Sequence, residues 1–80
     1  MNRDEAKTIL KTIVAVYPSF LQGRDAAITT NIWQTLFADE PYKVVEAALL
    51  AFFAQDVKGF PPSPGQIKER IAALQAPERT

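Results

Sequence analysis

The sequence predicts an all-α protein, a compact single-domain bundle of four short helices. Two patterns carry that expectation: apolar residues recur at spacings of three and four along four segments, and each segment is bounded by a capping residue, a proline or a glycine. Composition agrees. The chain is 48% hydrophobic, with five Phe, two Tyr and one Trp, against 22% charged, which is the balance of a compact globular domain. Its 80 residues suffice for one domain, and a chain of this size hides only somewhat over ~60% of its unfolded surface.

In the first segment Ala6, Ile9, Leu10, Ile13, Val16 and Tyr17 form one stripe, the signature of an amphipathic helix. Asn2 and Glu5, three apart, fit a capping box at its start, and Pro18 stops it. Phe20 and Leu21 fall in a loop that ends at Gly23. Asp25 is placed to cap a second helix, whose expected inner face is Ile28, Ile32, Trp33, Leu36 and Phe37, with Thr30, Asn31, Gln34 and Thr35 outward. Asp39 is the expected cap of a third helix, with Pro41 tolerated in its first turn. Between Val44 and Ala54 only Glu46 is charged, so this helix belongs in the middle of the bundle.

The stretch Lys58 to Arg70, KGFPPSPGQIKER, holds three of the six prolines and two of the three glycines. A phosphate-binding loop needs four residues between its glycines and then Gly-Lys-Ser/Thr. Here five residues separate Gly59 from Gly65, and Gln66-Ile67 follows, so the nucleotide reading fails. Helix-start chemistry is met instead: Ser63 as cap, Pro64 at the first helical position, Gln66 folding back on the cap amide. Phe60 is expected on the core, with Pro61 and Pro62 holding the approach extended. The fourth helix then turns Ile67, Ile71 and Leu74 inward and Lys68, Glu69 and Arg70 outward until Pro77.

Several function classes drop out. With no cysteine and no histidine, disulfides, thiolate nucleophiles, zinc sites of the usual ligands and a Ser/His/Asp triad are excluded. The carboxylate pairs Asp4-Glu5 and Asp39-Glu40 stand at helix starts, where capping explains them. Neither an enzyme nor a cofactor is expected. The longest apolar run, Ala47 to Ala54, is eight residues, far below the ~20 that span a bilayer, so no membrane partner is expected. The polar amino terminus lacks a signal-peptide pattern, so a cytoplasmic location is expected.

The candidate contact residues are basic. Arg3, Lys7 and Lys11 are spaced i, i+4, i+8 and line one stripe of the first helix, with Lys68 and Arg70 as a second group. A solvated face is the plain alternative for the stripe. Nine basic and nine acidic residues cancel, which argues against direct nucleic-acid binding. Trp33, Phe37, Tyr17 and Tyr42 are weighed as interface anchors and assigned to the core.

The order of elements also resembles a known family. Tyr17-Pro18-Ser19-Phe20, then Trp33-Gln34-Thr35-Leu36-Phe37 with Asp39, then Tyr42-Lys43-Val44-Val45, then Phe60-Pro61-Pro62-Ser63 with Ile67 are similar to the phage replicative-helicase loader and inhibitor family, from about Thr8 to about Leu74. The resemblance implies a small helical adaptor that binds the hexameric DnaB-type helicase, keeps it inactive and delivers it to an origin-bound phage initiator. It implies structural roles for Trp33, Phe37, Phe60 and Ile67 as core and for Pro61, Pro62 and Ser63 as connector and cap. It further implies a flexible polar tail that grips the helicase. On that expectation residues 1–76 are the helical domain and 77–80 the start of the tail, with Pro77, Glu78, Arg79 and Thr80 as contact residues. Two other readings stand beside it: a small helical DNA-binding domain using the basic stripe, and a self-associating regulatory bundle.

Overall fold

The computed structural model describes residues 1–75 and contains four helices in the expected order: α1 (Arg3–Val16), α2 (Ala26–Leu36), α3 (Tyr42–Gln55) and α4 (Pro64–Gln75). Pro77, Glu78, Arg79, Thr80 and the boundary after residue 76 lie outside the described residues. Principal contacts run from α2 to α1, from α1 to α3 and from α3 to α4. The bundle is therefore built inward from both ends, with α1 and α3 in its interior.

Local capping follows the residues that encode it. Asn2 accepts from the Glu5 amide at 2.8 Å while the Glu5 carboxylate accepts from the Asn2 amide at 2.9 Å, a complete capping box. The Asp25 side chain accepts from the Ile28 amide at 3.0 Å. At α4 the Ser63 amide donates to Gln66 Oε1 at 2.9 Å and the Gln66 amide to Ser63 Oγ at 3.3 Å. The third helix departs from expectation. Its cap position is Pro41, in extended conformation and with no side-chain cap bond, and Asp39 is exposed. The Pro41 carbonyl takes the Val44 and Val45 amides instead, at 3.0 and 3.2 Å. The corner is also held from the start of the chain, where the Met1 amino group donates to the carbonyls of Phe37 and Glu40 at 3.0 and 2.6 Å.

The core joins Ile9, Leu10, Ile13, Tyr17 and Phe20 to Trp33, Phe37, Val45, Ala48, Leu49, Phe52, Ile67 and Ile71. At its centre Trp33 stacks on Phe37 with ring centres 5.3 Å apart and meets the edge of Phe20 at 6.3 Å. These rings decide how α2 is rotated, and they correct its expected inner face. Trp33, Phe37, Thr29 and Thr30 are buried, whereas Ile28, Ile32 and Leu36 are 58%, 49% and 46% exposed. The two threonines go inside at little cost because their hydroxyls bond back to the Asp25 and Ala26 carbonyls at 2.8 and 2.7 Å. Val16 and Leu50 are likewise exposed, though their helices supply much of the core.

The connector before α4 brings a second correction. Phe60 is 69% exposed and Leu74 is exposed, while Pro62 is buried. The cause lies in the turn that precedes it. Gly59 adopts φ +78°, a left-handed conformation that a residue with a Cβ resists. Asp56 fixes the turn by accepting from the Lys58 and Gly59 amides at 3.2 and 3.1 Å, and its carboxylate is anchored by the Tyr17 hydroxyl at 2.5 Å. The chain leaves this latch with Phe60 outward and Pro62 against the core.

The latch predicts a pH dependence. Burial first, then the bond to Asp56, push the Tyr17 phenol from its ordinary 10.0 up to about 12. The Tyr17 hydroxyl first, then the two amides, hold Asp56 below the usual carboxylate range despite its partial burial. The contribution of Asp56 is therefore complete above the ordinary carboxylate range and lost as pH falls through its lowered value. That of Tyr17 is complete below 10.0 and lost as pH rises through about 12. Tyr17→Phe is expected to cost about 1 kcal/mol at neutral pH. In melts across pH, the gap to the parent should narrow in acid. A gap that stayed constant down to full protonation would refute the latch.

Candidate protein-interaction groove

The basic stripe gains its setting from α2. Arg3, Lys7 and Lys11 form one rim of a groove of about 490 Å³ between α1 and α2, whose remaining lining is Leu10, Val14, Leu21, Ala26, Ala27 and Thr30. On the α2 side the lining consists of small residues, Ala26, Ala27 and Thr30. Asp25 starts the helix there, and Leu21 closes the end from the turn-rich loop between the helices. Three cations and no carboxylate line the groove. Arg3 is oriented by a hydrogen bond from its guanidinium to the Asn31 side chain on α2. Among the described residues neither Lys7 nor Lys11 is paired with a carboxylate.

Lys68 and Arg70 do not join this stripe. Lys68 pairs with Glu40 at 3.6 Å and lies over the Phe37 ring at 5.0 Å. Arg70 donates to Gln55 Oε1 at 2.8 Å and lies over the Phe52 ring at 5.4 Å. Both side chains fasten α4 to the bundle. Of the aromatic residues, Trp33 is 2% exposed and Tyr17 is buried, so both belong to the core as expected. Tyr42 is half-buried, its hydroxyl donating to Glu46 at 3.2 Å.

Two apolar features escape a reading of the sequence alone. The first is the uncharged stripe of Ile28, Ile32 and Leu36, which lines a shallow surface with Asn31 and Thr35. The second is the turn after α3, where Val57 is 93% exposed beside the exposed Phe60. The i, i+4, i+8 spacing of the first was visible, but so was the i, i+4 spacing of Trp33 and Phe37, the rings that compete with it for burial. Among the described residues, no group of three or more metal-ligating side chains could hold an ion. Among the same residues, no helix is long and apolar enough to cross a membrane.

Comparison with known proteins gives one finding. The family model for the N-terminal domain of the phage gene 39 protein matches residues 1–68, a span that takes in α1, α2, α3, the α4 cap and the whole groove lining. Neither a curated protein nor a solved structure matches the chain.

Proposed function

Because this chain belongs to the family of the N-terminal domain of the phage gene 39 protein, a loader and inhibitor of DnaB-type helicase, we propose that it works as a replication adaptor in the host cytoplasm. It binds the hexameric replicative helicase, keeps it inactive, and hands it to an origin-bound phage initiator. It acts through contact and not through chemistry of its own. The observation that supports this reading is the span of the family match, residues 1–68, over nearly the entire described bundle.

The test is a pull-down and ATPase assay with a purified DnaB-type hexameric helicase, using this chain and a version extended by a polar family tail. Co-retention with loss of ATPase activity by the 80-residue chain is the expected result. Binding that required the tail would reduce this chain to a scaffold, and absence of binding in both forms would reject the adaptor reading. The exposed Ile28, Ile32 and Leu36 stripe favours self-association as a second reading. Sedimentation of the chain alone separates the two, since a regulatory bundle that pairs with itself gains mass with concentration.

A further inference from the structure

We infer that the groove between α1 and α2 is a docking site for an acidic amphipathic helix of a partner protein. The inference rests on the groove's own chemistry and holds for whichever partner carries such a helix.

Charge complementarity comes first. The chain as a whole is neutral, with nine basic and nine acidic residues, yet the groove gathers Arg3, Lys7 and Lys11 and no carboxylate. Residues four apart on a helix advance about 6 Å, so the rim offers cations at that repeat. A helix lying in the groove with Glu or Asp at i, i+4 and i+8 carries carboxylates at the same repeat. Each exposed pair contributes little by itself, so charge selects and orients the occupant while apolar contact must hold it.

The floor then chooses among anions. A single nucleic-acid strand could also match the cation repeat, but its bases need aromatic platforms or hydrogen-bonding edges. Val14, Leu21, Ala26 and Ala27 give neither, Leu10 is buried, and Thr30 is buried with its hydroxyl donating to the Ala26 carbonyl. An anionic membrane takes up a broad apolar face of large side chains, whereas the apolar lining here is Val14, Leu21, two alanines and a buried Leu10. A helix with one acidic and one aliphatic face satisfies both parts of the groove, in the helix-in-groove mode of recognition. The small Ala26 and Ala27 leave room for its Leu or Ile side chains.

The experiment uses a blocked peptide of about 18 residues, long enough for five helical turns, with glutamates at i, i+4 and i+8 on one face and leucines on the other. Calorimetry and amide-shift mapping follow its titration into the full chain at low salt. Saturable binding with Kd of about 10–100 μM is expected, with shifts centred on Lys7, Lys11, Val14, Leu21 and Ala27. Lys7→Glu with Lys11→Glu should weaken binding at least about tenfold, and a peptide bearing lysines in place of the glutamates should recover it on that variant. Ala27→Leu should block the peptide by filling the groove while leaving the cations in place. Absence of saturable binding, shifts centred on Ile28, Ile32 and Leu36, or failure of the charge swap would overturn the proposal. So would displacement of the peptide by oligo-dT or by anionic phosphatidylglycerol vesicles at lower concentration than free peptide requires. Helicase binding that failed while the peptide bound would reject the adaptor reading alone.

Discussion

Trp33→Ala is expected to lower the melting temperature by at least about 12 °C, whereas Ile32→Ala one position away should leave it almost unchanged. Trp33 is 2% exposed and is held between the faces and edges of Phe37 and Phe20. Truncating a buried Trp costs about 3–5 kcal/mol, against a total stability on the order of 5–10 kcal/mol for a domain of this size. In a chain this short each kcal/mol moves the midpoint by roughly 4–8 °C. Ile32 is half exposed, and surface truncations usually stay within about 0.5 kcal/mol. Thermal and urea melts of the two variants test the rotation of α2 directly. Equal losses would mean that the Ile28, Ile32 and Leu36 stripe packs on the bundle and that the rotation is wrong.

That pair also marks where the sequence stops being legible. Helix starts at Asn2, Asp25 and Ser63 could be read because a cap is a contract between residues three apart. The face of α2 could not, because two apolar stripes compete on one short helix whose principal packing neighbour is α1. The decision comes from Phe20, a ring delivered by a loop, and from threonines that satisfy their own hydroxyls within the helix. Phe60 failed for a related reason. Its direction is set by Tyr17 acting through Asp56, a hydrogen bond across 39 positions of chain.

The groove divides in the same way. Its basic rim lies on one helix and is written in the spacing of Arg3, Lys7 and Lys11, but its floor comes partly from α2 and from the loop before it. The same limit explains Lys68 and Arg70. Their charge suggests contact with a partner, and only the tertiary neighbours Glu40, Phe37, Gln55 and Phe52 reveal that each also bonds within the bundle. An exposed basic residue and a basic residue committed to the fold look alike in a sequence.

The attachment of α4 gives the second large effect. At 12 residues the helix is at the margin of what forms alone in water, so its order depends on docking against α3. Ile67 and Ile71 are buried, while Leu74 and Phe60 are exposed, and Ile67 lies one turn past the cap. Ile67→Ala should cost about 2–5 kcal/mol and accelerate amide exchange through α4. Lys68→Ala removes one ion pair and one ring contact near the surface and should cost no more than about 1 kcal/mol. Phe60→Ala should fall within about 0.5 kcal/mol of the parent. If Phe60→Ala instead matched Ile67→Ala, the aromatic residue would be the anchor after all, and the outward turn fixed by Gly59 and Asp56 would be refuted. With the expected order, Ile67 secures the last helix while Phe60 and Val57 stay exposed at the surface, because the turn fixed by Gly59 and Asp56 directs the aromatic side chain away from the core that Ile67 enters.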